Sequence, residues 1–497
     1  MGVFLGIDVG TQSVKALCFD TESRSVVAQS SSALELISKE DGTREQLAQW
    51  WVTALRSCLE AIDADIRKSI RAIGVSGQQH GFVPLADDGS VLAPVKLWCD
   101  TATLSECDLI TTAFGGVENC IRETGNPVLP GYTAPKILWL KQHRPDLYAR
   151  LETVLLPHDY INFYLTGEKV MECGDASGTG LMDVRNRSWH KAMLTAVDAD
   201  RDLSECMPSL VSPENFIGTV RVEIASELGI PAGTPVSAGG GDNMMAAIGT
   251  GNIAPGRLTV SLGTSGTMFA YSEKPVIDPS GSLAAFCDST GSWLPLLCTM
   301  NCTVATELTR KMLGMSLAEL DEEIRGVPPG AGGVITLPFF QGERTPNLPR
   351  GQGCLFGLNQ TNYTAGNLLR SAMESAVFGL RAGLDIFREQ GCNISSIRLT
   401  GGGASSRIWR QIVADIFDLP VSIQKNDEGA ALGAALQAAW VYENSKARPI
   451  KLMDLVDSVL ELDESKCCEP SSQSVSVYTE YYQRYQSCLA AVTPLYQ

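Results

Sequence analysis

Two segments about half the chain apart carry the same device, and this internal duplication limits the possible folds more than any other feature. Asp8-Val-Gly-Thr-Gln-Ser follows the apolar run Val3–Asp8 and precedes a second β-forming run, Val14–Asp20. Ser261-Leu-Gly-Thr-Ser-Gly follows Leu258–Leu262 and precedes Thr267–Ser272 in the same way. Apolar, β-branched runs broken by a glycine-containing turn predict a strand–turn–strand unit at both places. After the first copy, Ser25–Leu36 reads as a third strand. Leu47, Trp51, Ala54, Leu55, Cys58, Leu59 and Ile62 recur at helical spacing, and Ile70–Ser76 reads as a strand again. The order is β-β-β-α-β. After the second copy, Gly333–Leu337 and Ser396–Leu399 read as strands, with helices within 364–390, 405–418 and 428–443. A repeat this long is no solenoid. The expected class is α/β: two lobes facing each other, each a sheet flanked by helices. Val236–Gly251, rich in glycine and alanine, reads as punctuation where the lobes join. Residues 463–476 read as a polar loop, and Val477–Tyr496 as a helix packing back on the body.

Strand, Asp, Gly-Thr turn, strand is a phosphate-handling arrangement. Glycine lets backbone amides approach an anion, threonine adds a hydroxyl donor, and an Asp at the strand end can hold Mg²⁺. Asp8 with Gly10, Thr11 and Gln12 makes the first such site; Gly263, Thr264 and Ser265 make the second. Two copies can close on a triphosphate from both sides. Lys15 reads equally as a cation for phosphate and as a solvated strand lysine. A third cluster, Gly401, Gly402, Gly403 and Ala404 with Ser406, lies between a strand and a helix. Bare backbone before a helix N-terminus suits a flat base, a ribose or a phosphate. Its spacing is not that of a dinucleotide fold.

Asp242 follows Gly239-Gly240-Gly241 and opens a helical stretch. A carboxylate there is kept ionised by the helix dipole and free amides. It can take the proton of an attacking hydroxyl as a phosphoryl group arrives, and phosphoryl transfer asks for little beyond positioning, metal charge and such an acceptor. Ser76-Gly77-Gln78-Gln79-His80-Gly81 ends a strand, and polar Gln79 and His80 between glycines suit hydrogen bonding to a polyol.

The formal net charge of −17 disfavours nucleic acid and anionic lipid, so any phosphate site has to be built locally. No stretch approaches the ~20 apolar residues of a membrane helix. Asp8 interrupts the N-terminal apolar run, and Gly6 stands where a myristoylation motif wants Ser or Thr. The expectation is a cytoplasmic protein that binds no membrane. The fifteen cysteines read as reduced thiols packed as small hydrophobes, and the four histidines are too scattered for a local zinc motif.

On these residues the chain resembles the FGGY family of carbohydrate kinases, from residue 3 to about 445. The family's first signature is matched by Gly131-Tyr-Thr-Ala-Pro-Lys136-Ile-Leu-Trp139-Leu-Lys-Gln142-His143. Its second is matched by Gly353-Cys-Leu-Phe-Gly357-Leu358 followed by Asn367-Leu368 through Ser371-Ala372-Met373-Glu374. Within the family, Gly77-Gln-Gln-His80-Gly, Thr124-Gly-Asn-Pro and Leu156-Pro-His-Asp-Tyr160 resemble the members that phosphorylate a ketopentose. So do Asp175-Ala-Ser-Gly, Gly239-Gly-Gly-Asp-Asn243 and Gly342-Glu-Arg-Thr-Pro346.

The resemblance implies a pair of actin-like, ribonuclease-H-like lobes with a cleft between them: a sugar-binding lobe over 1–250, an ATP-binding lobe over 251–445 and an extension over 446–497. It implies transfer from MgATP to D-xylulose, with Asp242 as base. Gln79, His80, Asp242 and Asn243 match sugar-binding positions, and Asp8 with Asp242 the metal-organising acids. Gly401–Ala404 match the nucleoside site. Where the family often shows Trp-Asn-Asp with Arg two residues on, this chain has Trp98-Cys99-Asp100-Thr101-Ala102. Trp98 and Asp100 are therefore kept in the sugar set, and the missing Arg leaves D-ribulose, L-xylulose or a related polyol as alternative acceptors. Sugar and ATP are the expected partners, and a homodimer is compatible with the sequence. An actin-like ATP-binding protein with no acceptor is the reading from another class; Asp242 in its glycine setting, with His80, argues against it.

Overall fold

The first Gly-Thr turn joins β1 (Val3–Val9) to β2 (Ser13–Asp20), and β3 (Ser25–Ala33) follows, ending at Ala33 instead of Leu36. α1 (Ala48–Glu60) returns the chain to β4 (Ile70–Gly77). The computed structural model describes residues 2–425, 429–446 and 449–496. Beyond β4 come α2 (Thr133–His143), α3 (Pro157–Thr166), β5 (Phe216–Thr219), β6 (Pro235–Ser237) and α4 (Asp242–Gly249). The second copy gives β7 (Gly256–Leu262), β8 (Gly266–Ala270) and β9 (Leu296–Thr299). Then come α5 (Ala365–Glu389), β10 (Ile394–Thr400), α6 (Arg407–Phe417) and β11 (Val421–Ser422), and finally α7 (Gly429–Asn444) and α8 (Ser472–Val492).

The chain divides into two units. The first comprises Met1–Ala254, Tyr271–Pro295 and Glu428–Leu460. Its sheet runs β5-β6-β4-β1-β2-β3, with β1 parallel to β4 and antiparallel to β2. On one face, Leu5, Ile7 and Val9 pack with Trp51, Leu55 and Leu59 of α1 and Ile161 and Leu165 of α3. On the other, Phe4, Leu17, Phe19 and Ala72 meet α7 and the Met245 and Ile248 side chains of α4. α7 is buried without a break from Ala431 to Val441, as a helix apolar on every side has to be, and its one polar residue in that run, Gln437, is hydrogen-bonded to Ser237, Gly239 and Ser289.

α7 lies so close to its neighbours that only glycine fits at four places. A Cβ on Gly6 would strike the Ala431 carbonyl, one on Gly74 that of Ala434, one on Gly433 that of Met245, and one on Gly249 that of Gly429. Residues 236–251 are accordingly no linker. They form part of β6, a short strand Gly240–Gly241 beside β4, and α4, and their small residues serve close packing.

The second unit comprises Pro255–Ala270, Leu296–Asp427 and Glu461–Gln497. Its sheet runs β9-β8-β7-β10-β11, with β7 antiparallel to β8 and parallel to β10, so the strand pattern of β3-β2-β1-β4 recurs. The strand Ile335–Pro338 pairs apart from this sheet, with Gly353–Phe356. α8 begins at Ser472, inside the stretch predicted to be loop, and Tyr478, Tyr482 and Tyr485 gather around Phe378 of α5. Tyr478 gives its hydroxyl hydrogen to Glu374 (2.8 Å) and accepts from Arg370 (2.8 Å), which fastens the helix to α5. All fifteen cysteines are free thiols. Among the described residues no helix is long and apolar enough to cross a membrane.

Candidate functional site

In the first unit, the end of β4 and the start of α4 are brought side by side by strand pairing. Gly240 and Gly241 pair with Ser76 and Gly77, which sets Asp242 and Asn243 next to Gln79. The three glycines before Asp242 have a steric reason. Gly239 has φ +72, a Cβ on Gly240 would press on Ser289, and one on Gly241 would lie 2.7 Å from Gln79 Cγ. Asn243 Nδ2 donates to Gln79 Oε1 (2.9 Å) and to Asp242 Oδ1 (3.0 Å), and the Asn243 amide donates to the same oxygen (2.7 Å). Gln79 itself is buried, and its Nε2 has no hydrogen-bond partner among the described residues. A buried amide N–H is costly when left unmade, and a ligand oxygen could satisfy this one.

Asp242 is half-buried. Burial pushes its carboxyl up to about 8; the charges of Asp8 and Asp175 push the same way, and the hydrogen bonds from Asn243 oppose them. Asp8 ends β1, where Ser76 Oγ donates to its Oδ1 (2.8 Å), and Lys15 stands opposite it across the β1–β2 pair. Two carboxylates whose charges repel fit a divalent cation, which would offset the repulsion. Mg²⁺ typically takes one or two carboxylates and completes its shell with phosphate oxygens and water, so two are enough. No group of three or more His, Cys, Asp and Glu side chains among the described residues is arranged to hold a metal.

His80 follows Gln79 with φ +64, a left-handed conformation that a non-glycine residue adopts only when held there. Its carbonyl accepts from Lys136 Nζ (2.8 Å) and Thr133 Oγ1 (3.2 Å). Its ring lies 5.0 Å from Tyr132 and 5.5 Å from Phe286, centroid to centroid, with Gly178 so close that a Cβ there would collide with the imidazole.

The other sequence-predicted residues of this unit fall into two groups. Thr11 is drawn into the site's wall: its hydroxyl donates to Gln78 Oε1 (2.9 Å) and accepts from the half-exposed Trp98 indole (3.0 Å). Gly10 closes its turn by donating to the Ser13 carbonyl (3.0 Å), and Gln12 is exposed. Asp100, by contrast, is fully enclosed. It accepts from the Arg44 amide (2.8 Å), Lys96 Nζ (3.1 Å) and the Ala102 amide (3.0 Å), so both oxygens serve the loop that carries Trp98.

In the second unit, Gly263 and Thr264 form the corresponding turn. The Gly263 amide donates to the Ser265 carbonyl (3.1 Å), and the Thr303 and Cys302 amides donate to the Gly263 and Thr264 carbonyls. Gly401 has φ +84 and touches the backbone of Leu262, which ties the glycine cluster after β10 to the end of β7. Gly402 is exposed, and a Cβ there would meet nothing within 4 Å. Gly403 and Ala404 are buried, and Ser406 begins α6 with its hydroxyl on Asp321 (3.3 Å). The cluster thus offers bare backbone to solvent at one position, backed by packed residues.

Sequence reasoning missed Tyr132, Phe286, Lys136 and Thr133 around His80. Phe286 lies on Tyr271–Pro295, an excursion from the second copy into the first unit, and no local pattern marks such a return. Lys136 sits at a helical position that is wholly buried, where a lysine needs partners, and that is a readable signal.

The sequence matches the N-terminal domain of the FGGY family of carbohydrate kinases over residues 3–249 and the C-terminal domain over 258–442. A xylulose kinase of Haemophilus influenzae is 41% identical, over 98% of this chain and 99% of its own. The crystal structure of a xyloylose kinase from Brucella ovis superposes with a TM-score of 0.92 at 31% identity, covering 99% of this chain and 100% of that one. Plasmodium falciparum glycerol kinase with ADP superposes with a TM-score of 0.85 at 20% identity, covering 98% of both chains, a likeness of fold alone.

Proposed function

The chain belongs to the FGGY family of carbohydrate kinases and is an ATP-dependent sugar kinase of two actin-like lobes, and from that premise we propose that its acceptor is D-xylulose and its product D-xylulose 5-phosphate. The observation that carries the assignment of the sugar site is the chain Gln79–Asn243–Asp242 with an unspent buried donor on Gln79. In this reading Gln79, His80 and Asn243 hold the sugar hydroxyls, and Asp242 takes the proton from the attacking hydroxyl. The first unit then carries sugar and base, and the second, through Gly263–Ser265 and Gly401–Ala404 with Ser406, carries ATP. The Gly10–Gln12 turn and Lys15 belong to the phosphate side of the same reading.

Mg²⁺ would be held by Asp8 and Asp242 and would supply positive charge to the phosphates. Asn243 keeps one Asp242 oxygen occupied and so orients the other toward its substrate proton. The enclosure of Asp242 strengthens its basicity once it is ionised.

The likeness to the xylulose kinase of Haemophilus influenzae and the xyloylose kinase of Brucella ovis supports the choice of sugar. Ala102, standing where the family often has Arg, leaves D-ribulose, L-xylulose or a related polyol as the alternative acceptor. The test is a panel of ketopentoses, polyols and aldohexoses with MgATP, read as kcat/KM. D-Xylulose should lead, with other ketopentoses weaker and glycerol negligible. A best rate on glycerol or an aldohexose refutes the assignment.

A further inference from the structure

His80 is held from both ends of its backbone by residues that do not reach the open site. On the carbonyl side stand Lys136 and Thr133. Lys136 is wholly buried, and its ammonium gives a further hydrogen to the Gly131 carbonyl (2.6 Å). On the amide side stands Asp175, whose ionised carboxylate is favoured by the nearby His80 N–H. Asp175 is itself fixed by His158: Nδ1 lies 2.9 Å from Asp175 Oδ2, and both side chains are fully buried. His158 Nε2 lies 2.9 Å from Asp159 Oδ1 without the alignment of a hydrogen bond, and Asp159 Oδ2 accepts the Leu156 amide (3.0 Å), capping α3. The backbone of His158 also presses on β4, where a Cβ on Gly77 would lie 2.8 Å from its amide nitrogen.

Burying an imidazole between two carboxylates is an expensive arrangement to maintain unless it fixes something. Burial alone would lower the His158 pKa, but the charges of Asp159 and Asp175 and the hydrogen bond to Asp175 outweigh it and hold it well above the ordinary range. His158 and Asp175 are thus locked to each other, and the strained His80 backbone is what the pair faces.

We propose that Lys136 and the His158–Asp175 pair are positioning residues that clamp the His80 main chain from its two sides, fixing the imidazole against Tyr132, Phe286 and Gly178 at the geometry that recognises the sugar. The proposal rests on the reading of His80 as a sugar-binding residue. It also gives a task to two sequence motifs, around His158 and around Asp175, that the reaction itself does not use.

The clamp acts through His80, so its removal should matter only while the imidazole is there. In the full-length enzyme, Lys136→Met and Asp175→Ala should each raise the sugar KM about tenfold and leave the ATP KM within twofold, as expected for losing a buried hydrogen bond that orients one group. Asp175→Asn keeps an acceptor oxygen for the His80 amide and should recover most of that loss. In a His80→Ala background the same substitutions should change the sugar KM less than twofold further. If they add in full there, or leave the sugar KM unchanged in the wild-type background, the clamp is refuted while the sugar role of His80 stands. If His80→Ala alone leaves the sugar KM unchanged, the reading of His80 falls and the clamp falls with it. Should Asp175→Ala fail to fold, Lys136→Met, which replaces a buried stem by one of similar length, decides the same cycle.

Discussion

Replacing Asp242 by Asn should make the enzyme slower and its first unit more stable, with the stability gain depending on pH. Asn keeps an oxygen for the Asn243 amide and side chain but can neither ionise nor accept a proton. For the reaction, loss of a general base lowers kcat by about 10²–10⁴, with little change in the ATP KM. For stability, the carboxyl is raised from 3.8 to about 8 on folding, chiefly by burial, with Asp8 and Asp175 adding to it. Below 3.8 both states hold the proton and the group makes no difference. Between 3.8 and about 8 the folded state keeps a proton that the unfolded state releases, so stability falls as pH rises, and above about 8 the penalty is complete. At about 1.4 kcal/mol per unit the whole shift would cost roughly 6 kcal/mol. Asp242 is half-buried and in reach of water, which brings the penalty to about 2 kcal/mol. Urea unfolding of wild type and Asp242→Asn, without nucleotide or metal, should show equal stability near pH 4 and the variant ahead by that amount at pH 9. Wild-type kcat/KM should fall as the pH is lowered, because the base has to be ionised. A variant within threefold of wild-type kcat sinks the base assignment, and an advantage that does not grow from pH 4 to 9 sinks the electrostatic account.

Gln79→Leu removes both the unspent donor and the acceptor of Asn243, so the sugar KM should rise at least about tenfold; an unchanged KM would mean that Gln79 takes no part in sugar binding. Gly402→Leu points into open space and should raise the ATP KM without altering the urea midpoint, whereas Gly401→Ala meets the Leu262 backbone at positive φ and should lower the midpoint. If Gly402→Leu leaves nucleotide affinity, measured by calorimetry, untouched, the cluster is not the nucleoside site. Gly433→Ala drives a methyl into the Met245 carbonyl and should cost about 1–3 kcal/mol, read by urea unfolding.

The duplication, the strand order of the first copy and the place of the two Gly-Thr turns were legible in the sequence, because turn chemistry and strand periodicity are written in contiguous residues; in the second copy the third strand of the sheet proved to be Leu296–Thr299, not the predicted Gly333–Leu337. The same holds for Asp242 and the Gln79–His80 segment, where glycines beside polar residues mark a close approach before any partner is known. Tertiary structure alone decided what those residues touch. It put α7, which follows the second copy in the chain, onto β1 and β4 of the first unit, because a largely apolar helix lined with small residues packs closely where glycines leave room. It brought Phe286 back from the second copy to His80, and it enclosed Asp100, whose motif had suggested a sugar contact, within hydrogen bonds from Arg44, Lys96 and Ala102. The pairing of His158 with Asp175 likewise joins segments whose separate motifs gave no hint of contact. Local sequence sets which backbone shapes and proton chemistries are available; which of them meet depends on the packing of distant apolar faces, a property of the whole chain and of no single segment.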